Sequence, residues 1–452
     1  MAVLAAIAVV VVSAAASAAG GAERPRFDTR VLALVPTPGY PARAYVHPNG
    51  RIYEGTYESD DGQAVPSKVF EYSGDGQLMR SFTIDGQAIG QTHGVQVAQS
   101  DSLGRLVLLD TGPARALILD PDTGRQSTYA TFPDLPLCST GTTGPNCSPA
   151  TMDQRAVPNY AAWGPDGSLY VTDYLQAVIW RVPPGGGEPE VWLASPKLDG
   201  VEFGTTGIML AADRKTLYVG QGSSAGGGDG NPTTGKIYKV AIKADGSAGE
   251  LTSFYESQPT NLPDGFALAK SGDLYVPLAG PASQIAVVSP DGKELERIGT
   301  ALSGDNGSAV PFDTPSGGSF LGSRFILANQ SAVAGDATHQ AILDVETGEP
   351  GLEPLIPKGA GLSGDEQVCA VRKHGKPKPQ EGRCVVHFRL DRGRYAYRLR
   401  QAGDVVGRGH ARASARGRLA VRVKGVDPGR YRLTVSGGGG RRSASVRVLL
   451  PL

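Results

Sequence analysis

Four polar residues each stand at the start of an apolar, strand-like segment of the chain: His93, Asn159, Thr206 and Asp264. A carboxylate or an imidazole can act as a general base, and amide or hydroxyl oxygens can orient a ligand. The alternative is structural, because Asn and Asp also hydrogen-bond to the backbone where a turn enters a strand. Two further aspartates, Asp110 and Asp173, end strands instead, and for them the structural interpretation is favoured.

One phrase recurs six times along the chain: an apolar segment, a polar turn and an alternating strand. Its turn positions are Gly50, Gly104, Gly167, Arg214, Gly272 and Gly322, separated by 54, 63, 47, 58 and 50 residues. Repeats of this length that contain only strands and turns are typical of propeller blades, each of which needs a neighbour to bury its apolar face. The sequence therefore predicts an all-β chain with a six-bladed β-propeller over residues 27–360.

Each repeat continues with a third strand and often a fourth. In the third repeat the chain runs through Ala177–Val182 and then, after a Pro-Gly turn, through Glu190–Ala194. Four-stranded sheets packed around an axis leave only short edges, and we expect Arg30–Val35 to complete the last sheet. No phosphate-binding or dinucleotide-binding loop stands between a strand and a helix, which argues against nucleotide-dependent enzymes of those folds.

The charge of the chain is unevenly distributed. Residues 369–452 contain 21 Lys and Arg against 4 Asp and Glu, a net charge of +17, although the whole chain is neutral. Their strand-like segments alternate apolar residues with arginine, as in RYAYRLR at Arg394–Arg400. An alternation of period two with one charged face predicts a half-buried antiparallel sheet. We therefore expect residues 365–452 to form a small, basic, immunoglobulin-like β-sandwich.

The arginines of this domain have two interpretations: Arg398, Arg400, Arg422 and Arg432. They form either a solvated face or a surface that adheres to an anionic cell-envelope component. Nucleic acid is not an expected partner, because the chain begins with an export signal.

The first residues predict that export. An apolar run over Ala2–Val12 is followed by small residues, with a cleavage signal at Ala16-Ser17-Ala18, so residues 1–22 are interpreted as a signal peptide. No Lys or Arg precedes the apolar run, which leaves an uncleaved membrane anchor as the alternative. The protein is thus expected to be secreted or extracytoplasmic.

The four cysteines form two close pairs. One pair, Cys138 with Cys147, lies between the second and third repeats, and the other, Cys369 with Cys384, lies in the basic domain. In an exported chain with one pair in each domain, we expect two local disulfide bonds. A zinc site is disfavoured because neither pair has a second pair or histidines at the usual spacing.

Two phrases resemble a known family: VPNYAAWGPDGSLYVTDYLQAVIWRV at 157–182 and LPDGFALAKSGDLYVP at 262–277. They are similar to the gluconolactonase, senescence-marker-protein and luciferin-regenerating-enzyme (regucalcin-type) family of six-bladed propellers. The resemblance implies a divalent metal at the mouth of the pore, with Asn159 and Asp264 as ligands and Asp264 as general base. Asn159, Thr206 and His93 are the expected substrate contacts, and for His93, which starts an inner strand, a turn or pore-lining role is the alternative.

The chain departs from the family at two of four metal ligands. Pro41-Ala42-Arg43 stands where the family has a glutamate, and Thr205-Thr206-Gly207 where it has Asn-Gly. Calcium, the metal that the resemblance favours, prefers six or more oxygens, several of them anionic. The remaining set predicts weak calcium binding.

Two classes of function remain open. The chain is either a metal-dependent hydrolase of a lactone or a similar ester, or a non-catalytic propeller that binds a sugar, a peptide or an envelope component. We expect a small-molecule ligand and a monomeric protein. The fold does not decide between the two classes of function, because one fold can host many functions.

Overall fold

The computed structural model describes residues 24–57, 64–200, 204–223, 234–259 and 261–357, together with seven strands between 366 and 449. Regular structure in these residues is all β, apart from two short 3-10 helices, Pro196–Leu198 and Ala337–His339. No helix in the described part of the chain is long and apolar enough to cross a membrane. The predicted signal peptide lies outside the described residues.

Six four-stranded antiparallel sheets follow one another between residues 29 and 346. The first three consist of β2–β5 (Tyr45–Val46, Ile52–Gly55, Lys68–Tyr72, Leu78–Thr83), β6–β9 (Val95–Ser100, Leu106–Thr111, Ala114–Leu119, Gln126–Thr131) and β10–β13 (Pro158–Trp163, Leu169–Asp173, Val178–Val182, Glu190–Ala194). The next two consist of β14–β17 (Thr205–Leu210, Thr216–Gln221, Lys236–Ile242, Ala248–Glu256) and β18–β21 (Ala267–Leu268, Leu274–Leu278, Gln284–Val288, Glu294–Ile298). The sixth consists of β22–β24 (Pro315–Leu321, Arg324–Asn329, Ala341–Glu346) and, at its outer edge, β1 (Thr29–Leu34).

Burial along these strands follows their place in each sheet. Strand β7 (LVLLDT) is buried throughout, because both faces of its sheet are covered by neighbouring sheets. The outer strand β5 (LMRSFT) is almost entirely exposed and contains polar residues together with the exposed Leu78 and Met79. Strand β7, which is covered on both faces, is thus mostly apolar, whereas the outer strand β5 is mixed.

The innermost strands of the six sheets stand side by side around a central channel. Strand β10 contacts β6 on one side and β14 on the other, and β2 contacts both β6 and β22. Backbone hydrogen bonds close the ring where the last sheet meets the first, from Ala44 N to Gly317 O (3.0 Å) and from Gly317 N to Ala42 O (2.9 Å). The sheets thus form a β-propeller, as the repeats predict.

Strand β1 closes the sixth sheet. It pairs antiparallel with β24, with Thr29 opposite Val345 and Leu34 opposite Ala341. The expectation that Arg30–Val35 completes the last sheet is confirmed. The pairing covers the edge of β24, which would otherwise offer unpaired backbone groups to another chain.

After β24 the chain crosses one end of the channel. Leu352 N donates to Leu268 O (2.7 Å) at the far end of β18, and Leu355 and Ile356 pack against cores of the second to fourth sheets. A narrow cleft remains between this crossing segment, 351–356, and the ends of β6, β10 and β14. The crossing segment therefore obstructs the channel at the end opposite the strand starts.

The long connections of the propeller lie on the face where the inner strands begin. They include the connection from β9 to β10, which contains the disulfide bond between Cys138 and Cys147. This predicted pairing is confirmed. Long loops held on a rigid scaffold are where binding sites are usually found.

Removal of this disulfide bond has a predictable cost. The double variant C138S/C147S is expected to lose about 2–3 kcal/mol of unfolding free energy, because a closed loop with a sequence separation of 9 restricts the unfolded chain by about that amount. Urea unfolding measures the loss, and reduction of the wild-type protein should reproduce it. Equal stability of the oxidised, reduced and substituted proteins would show that the bridge constrains nothing.

The seven C-terminal strands form one hydrogen-bonded sheet. They are β25–β31 (Glu366–Ala370, Glu381–His387, Gly393–Gln401, Asp404–Ala413, Arg418–Lys424, Gly429–Gly437, Gly440–Leu449), in the spatial order β25-β31-β30-β27-β28-β29-β26. The end strands β25 and β26 also contact each other, so the sheet curves back on itself. Five strands coincide with segments predicted from the sequence, whereas β25 and the glycine-rich β28 were not anticipated.

The seven strands form one continuous sheet, whereas the predicted immunoglobulin-like sandwich has two separate sheets. The pairings β26–β29–β28 and β27–β30–β31 are those of the two sheets of an immunoglobulin domain, but β28 also pairs with β27 and joins them. The immunoglobulin-like sandwich remains a prediction. So does the second disulfide bond, because the side chains of Cys369 on β25 and Cys384 on β26 lie outside the described part.

Candidate functional site

Hydrogen bonds connect three of the four strand starts singled out from the sequence, at Asn159, Thr206 and Asp264, at one end of the channel. Asn159 Nδ2 donates to Thr205 O (3.2 Å), and Thr206 Oγ1 donates to Pro263 O (3.0 Å), next to Asp264. These bonds link the third, fourth and fifth sheets in sequence. Asn159, Thr206 and Asp264 are therefore gathered at one mouth, while their roles there remain predictions.

Asn159 has the contacts of a structural residue. Its Oδ1 accepts a hydrogen bond from Gln96 Nε2 (2.8 Å), its Nδ2 is used by the fourth sheet, and the side chain is buried. Thr206 is buried as well, and its backbone oxygen accepts from Thr172 Oγ1 (2.8 Å). Both side chains join neighbouring sheets, so neither presents a free oxygen to a ligand.

His93 is buried at the start of the second sheet. Its Nδ1 lies 3.0 Å from Ser67 Oγ, in the connection that leads to β4, and its Nε2 has no partner. Burial lowers the pKa of His93, against the opposing effect of the Asp110 charge. No described hydrogen bond of His93 reaches Asn159, Thr206 or Asp264, and its contact with a substrate remains a prediction.

Asp264 is the one predicted site residue that solvent reaches. It is partly exposed although protein atoms surround its carboxyl group, as expected at the bottom of a narrow opening. Its Oδ2 accepts a hydrogen bond from Ser316 Oγ (2.5 Å). Burial raises the pKa of Asp264 to about 6, although hydrogen bonds from Ser316 and Tyr160 oppose the increase.

Tyr160 fills the channel beside Asp264, and the sequence did not single it out. Its ring extends from the third sheet across the channel, and its hydroxyl reaches Ala42 O (3.4 Å), just before the first sheet. A Cβ at Gly265 or Gly317 would stand 2.6 or 2.7 Å from this hydroxyl, so both positions require glycine. The sequence signal that could have revealed this packing is the glycine that directly follows each of the strand-start residues Asp264 and Ser316.

Arg43 is the second residue that the sequence did not single out. Its guanidinium lies 5.6 Å from the ring centroid of Tyr160 and 5.9 Å from that of Tyr45. Since Tyr160 belongs to the third sheet and Arg43 precedes the first, this contact crosses the channel. The sequence predicted a missing metal ligand at Pro41-Ala42-Arg43, and the structure places the Arg43 guanidinium beside two aromatic rings there.

The environment of Arg43 is unusual for a charged side chain. Only 3% of the residue is exposed, and it has no hydrogen bond or salt bridge among the described residues, with Nη1 buried and unpartnered. Burial lowers its pKa, while the nearby tyrosines favour the charged form. A buried cation without an anion is costly, so this position invites a negatively charged partner.

The residues at the mouth do not fit a divalent metal. Asn159 Oδ1 is already used, Thr206 contributes at most a hydroxyl, and Asp264 is the only carboxylate of the set. The guanidinium of Arg43 would repel a dication. Among the described residues, no group of three or more His, Cys, Asp or Glu could hold a metal ion. The oxygen-rich, anionic cage that calcium prefers is not formed.

Asp173 and Asp110 stabilise turns, as the structural interpretation predicts. The carboxylate of Asp173 is fully buried and accepts hydrogen bonds from Val157 N (3.2 Å), Gln176 N (3.1 Å) and Trp180 Nε1 (2.9 Å). Asp110 accepts from Gln87 Nε2 and forms a salt bridge with Arg115. Neither carboxylate is free to act on a ligand.

No protein-family model matches the chain, and the comparison with curated proteins found no match. Solved structures do show similarity. Regucalcin from Agrobacterium tumefaciens, described as a calcium-binding protein, shares 15% identity over 73% of this chain and 98% of its own, with a TM-score of 0.46. A luciferin-regenerating enzyme shares 13% identity over 71% and 96%, with a TM-score of 0.44.

A third similar structure is the major allergen Mala s 1 of Malassezia sympodialis, with 11% identity over 72% of this chain and 96% of its own and a TM-score of 0.44. At these values the likeness says nothing about individual residues, and the site is argued from this chain alone. Regucalcin and the luciferin-regenerating enzyme are proteins of the group that the sequence of this chain resembles.

Proposed function

We propose that this chain is an exported ligand-binding propeller that takes up a small hydroxylated molecule with an anionic group at the mouth of its channel. The observation that carries the proposal is Arg43, a buried cation without a described partner. A guanidinium pairs a carboxylate or a phosphate through two parallel hydrogen bonds, which would offset the cost of its burial.

Asp264 supplies the second contact. Asp264 is partly exposed, and its carboxylate can accept a hydrogen bond from a ligand hydroxyl in addition to the one from Ser316. Tyr160 contacts both groups, because it hydrogen-bonds with Asp264 and its ring lies 5.6 Å from the Arg43 guanidinium. A ligand that satisfies both ends is a hydroxy acid or a sugar acid, not a long polymer.

Hydrolysis of a lactone remains the second candidate. A lactone is the cyclic ester of a hydroxy acid, and a carboxylate with a pKa of about 6 is suited to act as a general base near neutral pH. The resemblance to gluconolactonases favours this candidate. Because the residues do not fit a metal, no step of it is assigned to one.

The test compares gluconate with glucitol, which has the same hydroxyl chain without the carboxylate. Gluconate is expected to raise the unfolding temperature of the wild-type protein more than glucitol does. D264N should weaken the response to both compounds, whereas R43M should remove only the advantage of gluconate. Added calcium or a chelator should change neither response. Equal responses to the two compounds would contradict the role of Arg43.

The same proteins decide the second candidate. If Asp264 is a general base, opening of gluconolactone above the spontaneous rate should rise as the pH rises through about 6 and disappear in D264N. Ligand binding with no lactone opening would leave the binding function alone. Export is supported by the disulfide bond between Cys138 and Cys147, and N-terminal sequencing of the secreted protein tests it.

A further inference from the structure

We propose that one face of the C-terminal sheet binds a linear polyanion that carries phosphate or carboxylate groups. The binding residues form the arginine face, defined here by six side chains on neighbouring strands: Arg394, Arg398, Arg400, Arg408, Arg412 and Arg432. This proposal is independent of the site at the channel mouth.

The register of the strands places these arginines opposite one another. Arg398 on β27 faces Arg408 on β28, and Arg394 faces Arg412 on the same two strands. On the other side of β27, Arg400 faces Arg432 on β30. The alternate residues of β27 are buried in the core of the sheet, so the arginines share the opposite face.

Cross-strand pairs of like charge are unfavourable in an isolated protein. Directly opposite side chains on antiparallel strands are separated by about 5 Å at Cβ, and like charges there destabilise the sheet. None of these six arginines has a salt bridge within the described part of the chain, and residues 369–452 carry a net charge of +17. An anionic partner would remove the repulsion, whereas a purely solvated face would gain nothing from such pairing.

The extent of the arginine face indicates a chain of anions. Arg394 and Arg398 are separated by four residues of a strand, which corresponds to roughly 13 Å, and neighbouring strands are about 4.8 Å apart. One small anion cannot span that area, but a polymer with repeated anionic groups can contact several arginines at once. No described side chain on this face of β27, β28 and β30 is a lysine, and the planar guanidinium of arginine binds oxyanions with two hydrogen bonds.

The experiment uses the full-length protein and polyphosphate of defined length, with poly-glutamate as the carboxylate probe. The wild-type protein is expected to bind both, with an affinity that falls steeply as salt increases. The variant R398Q/R408Q should bind about tenfold more weakly at low salt and with a shallower salt dependence. The matched control K243Q/K270Q removes the same charge from exposed positions of the propeller and should leave binding unchanged.

A second pair keeps the test independent of one variant's folding. R394Q/R412Q should show the same weakening, and far-UV circular dichroism should show an unchanged β spectrum for every variant that is scored. If K243Q/K270Q weakened polyanion binding as much as the arginine variants do, the weakening would come from net charge alone and the proposal would be wrong. Binding only to vesicles of anionic lipid, and not to polyphosphate or poly-glutamate, would replace the linear polyanion by a membrane surface and overturn the proposal.

Discussion

Replacing Arg43 by methionine is expected to stabilise the ligand-free protein by about 1–3 kcal/mol. The guanidinium is buried among aromatic rings and has no described anionic partner. An unbranched apolar side chain keeps the contacts with Tyr45 and Tyr160 and removes a desolvated charge, and substitutions of this kind are often neutral or stabilising. Thermal and chemical unfolding without ligand measure the gain, which should coincide with the loss of the gluconate response.

Arg105 provides the matched control. It is also a buried arginine, but its Nε lies 2.6 Å from Asp101 Oδ2, and both side chains are almost inaccessible. R105M leaves that carboxylate buried and unpaired, so it should cost about 3–5 kcal/mol. If R43M destabilised the protein as much as R105M does, Arg43 would have an anionic partner in the free protein and its proposed role would be wrong.

Replacing Glu54 by glutamine is expected to stabilise the protein only at neutral to alkaline pH. Glu54 is fully buried in β3, its Oε2 has no partner, and burial raises its pKa to about 8. The folded protein keeps a proton there that the unfolded chain loses near its ordinary pKa. Wild-type stability contributed by this group therefore falls as the pH rises from about 4.5 to about 8 and is constant above.

The glutamine variant carries no such proton. It should match the wild-type protein near pH 4.5 and exceed it by about 2–4 kcal/mol at pH 9, as measured by urea unfolding at both pH values. The control is E71Q, because Glu71 is buried to a similar extent but is paired with Arg80 (2.5 Å). This variant should be less stable than the wild-type protein at pH 9. A constant difference between E54Q and the wild-type protein across this range would show that Glu54 is charged in the fold.

The propeller could be predicted from the sequence because its signal is repeated. Each sheet contains an apolar strand, a tight turn and an alternating strand, and six copies reinforce one another. Strands β25 and β28 escaped prediction because nothing repeats in the basic domain, and the glycines of β28 interrupt its alternation. Whether the seven strands form one curved sheet or two layers depends on tertiary contacts, which alternation does not encode.

The sequence singled out Asn159, Thr206 and Asp264 because each starts an inner strand, and hydrogen bonds connect these strand starts in the structure. Their roles in binding remain predictions. Tyr160 and Arg43 were missed because their importance depends on contacts across the channel, between sheets that are far apart in sequence. The sequence around Tyr160 is that of an ordinary core residue, and the sequence around Arg43 is that of an ordinary surface residue. No local pattern therefore distinguishes either of them.

The pairing of β1 with β24 has a consequence for how the protein is made. Thr29 in β1 is synthesised before every other strand of the six sheets. Its partner Val345 follows only when the sixth sheet is made. The ring therefore stays open until β24 has been synthesised, and β1 has no partner strand during that interval. A variant that starts after Leu34 should leave the edge of β24 uncovered and should yield a propeller that self-associates.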